Sequence, residues 1–228
     1  MRTSAIALGI AAALASGSAS AWETTLLDTN TPAKTQTITS KQLGIKAASP
    51  FSIKVQLLHG GRQEGVMLVT IDTGAMKITV VPNRGMNVAQ AVSGKVRLGW
   101  KSPVHEIVNP AFLDQGARNG IGWLEGFNDL LTRCGYEWVG HAGADEDGTM
   151  LTLHGLAANI PASDVILSVD EKPPYTIRLK GLLREQAFKK VDFTIDTELN
   201  TVPGAKSFTI NDRLTNNGDY PKEYQALY

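Results

Sequence analysis

Apolar and polar residues alternate along much of this chain from residue 51 onward. The clearest case is 191–199, where Val, Phe, Ile, Thr and Leu occupy every second position and Asp, Thr, Asp and Glu stand between them. Successive side chains of a β-strand point to opposite faces of its sheet. The alternation therefore predicts a half-buried antiparallel strand with one face in solvent.

Further short apolar runs, separated by Gly, Pro and Asn, predict a succession of strands. They cover residues 66–72, 75–81, 95–100, 149–154, 165–169, 175–183 and 208–214. The first two flank Thr73-Gly74, which predicts a hairpin. Only 123–131 has helical spacing; Gly126 weakens that prediction, and a short helix or an irregular loop across one mouth of a sheet fits as well. Together these patterns predict an all-β fold, a large sandwich of antiparallel sheets.

The N-terminus has the pattern of a secretory signal. Arg2 precedes an uncharged run of Ala, Leu and Ile over 4–15, and Ala-Ser-Ala at 19–21 matches a signal peptidase site. We predict a signal peptide over 1–21 with cleavage before Trp22, and hence a periplasmic or secreted protein. The apolar run is too short for a permanent membrane anchor. An uncleaved amphiphilic segment is the alternative.

The rest of the chain is predicted to have two parts. The first is an N-terminal arm over 22–50 with one or two short strands, and the second is a sandwich domain over 51–228.

Charge and cysteine content exclude several classes of function. Lys plus Arg and Asp plus Glu number 22 each, without strong clustering, which argues against nucleic-acid and membrane partners. Cys134 is the single cysteine, so no disulfide forms within the chain, and we expect this thiol to be buried and inert. No two histidines have metal-ligand spacing, and no phosphate-binding loop is present. We therefore predict neither a metal nor a cofactor.

Three residues carry candidate chemistry, each with a structural alternative. Arg84 follows a strand and precedes Gly85, so its guanidinium could meet sugar hydroxyls or a carboxylate; a surface arginine in a turn is the alternative. Trp123 could offer the aromatic face on which a pyranose ring packs, or belong to the core. His154 ends a predicted strand before Gly155 and could transfer a proton, or hold a loop carbonyl.

Taken in order, five blocks of the sequence resemble an aldose 1-epimerase-like family of the galactose mutarotase-like superfamily. The blocks are Asn-Arg-Gly-Met-Asn at 83–87, Leu-Gly-Trp-Lys-Ser-Pro at 98–103, Gly-Trp-Leu with Phe at 122–127, Leu-Leu-Thr-Arg-Cys-Gly at 130–135, and His-Gly with Asn-Ile-Pro-Ala at 154–162. The resemblance implies an antiparallel β-supersandwich that binds a sugar in a groove on its concave face. Within these blocks we take His154 as the candidate catalytic residue, and Arg84, Trp123 and Asn159 as the candidate substrate-binding residues.

The match also has departures. Leu156 follows His-Gly where the family usually has a polar residue. Mutarotases take their general acid histidine from the strand that would follow Tyr228 and their general base, a Glu, from later still. We therefore expect the sandwich to be incomplete at its C-terminal end, with the base beyond residue 228. Anomer interconversion needs one group to take the C1 hydroxyl proton and another to protonate the ring oxygen.

Three readings of the function follow. The first is an exported carbohydrate-binding protein that interconverts sugar anomers when complete. The second is a non-catalytic sugar-binding β-sandwich module, and the third is a structural or adhesion domain without a pocket. The first two require Arg84, Trp123 and His154 to converge on one hollow. Neither the sugar nor the oligomeric state follows from the sequence.

Overall fold

Antiparallel β-sheet makes up most of the structure, a computed structural model that describes residues 20–228. The strands, in chain order, are β1 Ala21–Leu27, β2 Gln36–Thr39, β3 Ser52–Leu57, β4 Met67–Asp72, β5 Lys77–Val81, β6 Asn87–Ser93, β7 Val96–Leu98, β8 Cys134–Tyr136, β9 Gly143–Ala144, β10 Met150–Leu151, β11 Asp164–Asp170, β12 Ile177–Ala187, β13 Val191–Thr201, β14 Thr209–Asn216 and β15 Gln225–Leu227. The helical segments are one-turn pieces: the 3₁₀ turns Gly61–Gln63, Pro110–Phe112, Gly122–Glu125 and Ala157–Asn159, and the α-turn Ala117–Gly120, named α1.

Two sheets form the body of the fold. The five-stranded sheet has the order β1-β11-β12-β13-β14, and the six-stranded sheet has the order β2-β3-β4-β5-β6-β7. β8 pairs with β15, and β9 with β10, in two small ladders. Every paired strand runs antiparallel to its neighbour. The predicted all-β, antiparallel fold is confirmed.

One continuous hydrophobic core joins the two sheets. The apolar side of β13, predicted from the alternation, is buried, with Phe193 at 1% and Ile195 at 0% exposure. The same cluster contains Val69 and Ile78 of the six-stranded sheet. Because burying one such side chain stabilises a fold by about 1.5–3 kcal/mol, the apolar faces have a strong drive to pack against each other as a sandwich.

The N-terminal segment contributes to both sheets. The residues predicted to form an arm supply β1, which pairs with β11, and β2, which pairs with β3. The predicted signal peptide lies almost wholly outside the described residues. Within residues 20–228, no helix has both the length and the apolar character needed to cross a membrane.

The structure refines the predictions at three places. Over 123–131 the structure has the 3₁₀ turn Gly122–Glu125 and then irregular chain from Gly126, which agrees with the short helix or irregular loop and not with a full helix. The expected strand over 149–154 shortens to β10, because the backbone turns into the left-handed region at His154. The residues after β14, at the end where the sandwich was expected to be incomplete, form β15 against β8.

Candidate functional site

The turn between β5 and β6 positions Arg84. Gly85 and Met86 both have a positive φ, 57° and 56°, which reverses the chain sharply. A Cβ on Gly85 would collide with the backbone oxygen of Ala157, so only glycine fits against that turn. The N–H of Gly85 also donates to the carbonyl of Ile160 at 2.9 Å. The β5–β6 turn and the Ala157–Asn159 turn are therefore locked together.

Arg84 forms a buried ion pair with Asp129. Its Nη2 lies 3.0 Å from Asp129 Oδ2, and the two side chains are 2% and 0% exposed. Nη1 of Arg84 donates to Asn128 Oδ1 at 2.9 Å, and the amide of Asn87 donates to Asp129 Oδ2 at 3.0 Å. Burial lowers the pKa of Arg84, and burial raises the pKa of Asp129 against the opposing effects of Arg84 and Asn87. Arg84 thus clamps a loop, and it presents little surface to a ligand.

Trp123 lies inside a row of aromatic rings. It is 5% exposed, and its ring centroid is 4.6 Å from that of Phe127 and 5.4 Å from that of His154, which meets it edge-on. Phe127 in turn lies 5.0 Å from Trp100 at the surface. Spacings of 4.5–7 Å with tilted planes are the favourable geometry for such rings. Trp123 therefore supports His154 from within, and its face is covered by these neighbours.

His154 is held in an unusual backbone conformation beside this row. Its φ is 59°, in the left-handed region that a non-glycine residue adopts at a cost of about 1 kcal/mol. Its N–H donates to the carbonyl of Gly140 at 2.8 Å, and its carbonyl accepts from Gly135 at 3.0 Å. Burial lowers the pKa of His154, and the nearby His141 lowers it further. The imidazole is consequently neutral at pH 7.

Asn159 ties the long 102–118 connection to the same region. Its amide donates to Gln115 Oε1 at 3.3 Å, and the residue is 8% exposed. The backbone N–H of Asn159 donates to Leu156, closing the 3₁₀ turn that packs on Gly85. Asn159 therefore stands next to the Arg84 turn, and its free surface is small.

Unpartnered polar atoms concentrate in these segments. Eight buried side-chain N or O atoms have no hydrogen-bond partner within the described residues, and six of them belong to Arg84, Trp123, Asp129, Thr132, Thr152 and His154. Buried polar groups nearly always find partners, in ordered water or a ligand if not in protein. Non-glycine residues with positive φ also gather here, at Met86, Arg118, Asn119 and His154. Such backbone strain is common at functional sites.

The predicted site residues are therefore brought together in part. Trp123 and His154 touch, Asn159 lies on the turn against Gly85, and Arg84 joins them through the Asn128–Asp129 segment rather than by direct contact. Their convergence on an open hollow stays a prediction. A cleft of ≈ 570 Å³ elsewhere in the structure is lined by residues of β13, β14 and β15, and by none of these four.

A second buried charged network was missed by sequence reasoning. Arg133, 2% exposed, donates to Asp212 at 2.6 and 3.1 Å and to the hydroxyl of Thr197 at 2.7 Å. Burial alone would raise the pKa of Asp212, but Arg133 holds it below its usual value. Thr197, a hydroxyl on the otherwise apolar face of β13, was the one visible signal. Among residues 20–228, no three His, Cys, Asp or Glu side chains gather as a metal site would require.

Comparison with known proteins identifies the family. A family model described as "Domain of unknown function (DUF4432)" matches residues 63–228. The chain belongs to the DUF4432 family. A crystal structure from Klebsiella pneumoniae subsp. pneumoniae MGH 78578, described as a "putative aldose 1-epimerase", is 45% identical with a TM-score of 0.86. A search of curated proteins finds no match.

The resemblance to aldose 1-epimerase-like proteins is thereby confirmed, as is the galactose mutarotase-like β-sandwich that it implied. The alignment covers 91% of this DUF4432 chain and 54% of the Klebsiella chain, so this chain spans about half the length of that relative.

Proposed function

We propose that this DUF4432 chain binds an aldose or an aldose derivative and takes part in interconverting its anomers, with His154 as a proton-transferring residue. The observation that carries the proposal is the setting of His154, a neutral imidazole fixed against Trp123 in a mutarotase-like sandwich. The relationship to the Klebsiella protein supports the choice of sugar chemistry. On the pattern of residues 1–21, we also propose that the protein is exported.

The chemistry fits a neutral imidazole. Opening the sugar ring requires a group that takes the C1 hydroxyl proton while another gives a proton to the ring oxygen, and reclosing on the other face reverses both transfers. His154 Nδ1 is buried and has no hydrogen-bond partner among the described residues, so a proton exchange with a sugar would have to use the other ring nitrogen, Nε2. The lowered pKa keeps most of the population unprotonated at neutral pH, the state in which imidazole accepts a proton.

The remaining predicted residues have supporting roles in this proposal. Arg84, by clamping Asp129, holds the loop that carries Phe127 and hence the stack on Trp123. Asn159 keeps the 3₁₀ turn after His154 joined to Gln115. Small displacements of a proton-transferring group lower rates steeply, so these contacts matter even where the side chains meet little of the sugar themselves.

The test is the rate at which α-D-glucose and α-D-galactose change to their β-anomers, followed by proton NMR with and without protein. We expect acceleration that falls about 10²-fold or more in His154→Gln, the usual contribution of one acid–base group. His59→Gln is the matched control, because His59 is an exposed turn residue whose side chain pairs with Glu64. Equal rates for the two variants, or no acceleration for any common aldose, would refute the catalytic role.

A second candidate is a sugar-binding module without catalysis, and two observations favour it. The buried carboxylates in residues 20–228 are already engaged: Asp129 by Arg84, Asp212 by Arg133, and Glu185 by the backbone N–H of Tyr136 at 2.7 Å. Leu156 also replaces a usual polar residue of the family. Calorimetric titration with the same sugars separates the two, since heat of binding without faster anomerisation selects the module.

A further inference from the structure

The strand β7 and the residue Trp100 form an exposed surface that the proposed His154 chemistry does not use. Every second side chain from residue 96 to residue 100 is apolar and exposed: Val96 at 61%, Leu98 at 49% and Trp100 at 41%. β7 pairs with β6 and lies at the end of the six-stranded sheet. Large apolar side chains exposed together on one segment usually mark a binding surface.

The indole of Trp100 is fixed in position. Its Nε1–H donates to the carbonyl of Asp129 at 3.2 Å, and its ring meets Phe127 at a centroid distance of 5.0 Å. Its own carbonyl accepts from Arg97 Nη1 at 3.1 Å, and Arg97 Nε donates to Gln90 at 3.0 Å. A ring held by such contacts loses little freedom when a ligand packs on it, which favours binding.

The same segment is strongly basic. Residues 95–101 contain Lys95, Arg97 and Lys101 and no Asp or Glu. Within residues 20–228, none of these three cations forms an ion pair with a carboxylate. Arg97 donates to the carbonyl of Trp100, so positive charge lies next to the fixed ring, and Lys95 and Lys101 add to the charge of the same segment. This combination suits a ligand that is both ring-shaped and anionic.

We propose that β7 and Trp100 bind an acidic saccharide, such as a chain of uronic acid units, at a site distinct from His154. The C–H face of a pyranose packs on the indole of Trp100, and the sugar carboxylate meets Arg97 and Lys101. The choice of a saccharide rests on the proposed function, whereas the choice of an anionic one rests on the charges of 95–101.

The experiment is calorimetric titration of the full chain with tetragalacturonate in 50 mM and in 300 mM salt. We expect binding that weakens at the higher salt and is at least tenfold tighter than binding of neutral maltotetraose. Arg97→Gln and Lys101→Gln should each weaken it about fivefold, the effect of losing one exposed charge contact. Lys46→Gln, an exposed lysine of another segment, is the control and should have no effect.

A second variant tests the ring itself. Trp100→Phe keeps an aromatic face but loses the hydrogen bond to Asp129, and we expect it to weaken tetragalacturonate binding severalfold, with Phe188→Ala as an exposed aromatic control. Binding should persist in His154→Gln, which separates a failure here from a failure of the proposed catalysis. Three results would each overturn the proposal. They are no binding of tetragalacturonate, binding that is unchanged in the Arg97, Lys101 and Trp100 variants, and self-association through β7 in sedimentation velocity.

Discussion

Replacing Arg84 with methionine tests whether the buried ion pair holds the candidate site together. The variant leaves the carboxylate of Asp129, 0% exposed, with Asn87 as its one remaining side-chain partner. Removing one partner of a buried pair typically costs about 3–5 kcal/mol, because a charge stays buried without compensation. The whole free energy of unfolding of a domain is about 5–15 kcal/mol. We therefore expect a large fall in the urea midpoint, measured by far-ultraviolet circular dichroism.

The loss of folding stability in Arg84→Met should grow as the pH rises. Without Arg84, burial raises the pKa of Asp129 in the folded state further above the 3.8 of the unfolded chain. A group with a raised folded pKa loses its stabilising contribution as pH rises from the unfolded to the folded value. The variant should therefore lose the least folding stability near pH 4, where protonation neutralises Asp129, and the most near pH 8.

The double variant Arg84→Met with Asp129→Leu completes the test. Replacing both partners removes the stranded charge, so the double variant should be more stable than Arg84→Met by about 1–4 kcal/mol. The matched control is Arg178→Gln, which breaks the partly exposed pair with Asp170 and should cost less than about 1 kcal/mol. A loss under about 1 kcal/mol at pH 8 in Arg84→Met, or a double variant no better than it, contradicts the reasoning.

Two further predictions concern the turns that carry the site. Gly85 and Gly94 share a φ of 57°, but a Cβ at Gly85 strikes the oxygen of Ala157 while one at Gly94 meets open space. Gly94→Ala should therefore cost about 1 kcal/mol, and Gly85→Ala at least 2 kcal/mol more, in urea titrations; equal losses would show that the turn can move. The lowered pKa of His154 means that the unfolded chain binds its proton first, so folding stability falls as pH drops below 6.5. His154→Gln should lack this part of the acid sensitivity in unfolding measurements from pH 7.5 to 5, and a parallel pH profile for the two proteins would contradict the assignment.

Agreement between sequence and structure is best where the signal is local. The alternation of β13 and the Thr73-Gly74 hairpin both depend on residues next to one another, so the pattern was sufficient to predict them. Over 123–131, where spacing left a short helix or an irregular loop open, Trp123 packs on His154 and Phe127 packs on Trp100, contacts that spacing alone does not reveal. Tertiary packing overrode a weak local propensity.

By itself the sequence determined the fold class, the family and a short list of candidate site residues, because alternation, turn residues and ordered motifs are local features of the chain. Only the tertiary structure decided what those residues do. It buried Arg84 against Asp129, placed Trp123 beneath His154, and joined Arg133 to Asp212 across 79 positions of sequence. The physical reason is that burial and charge pairing depend on which distant segments come into contact. The pairing of strands in the sandwich determines those contacts.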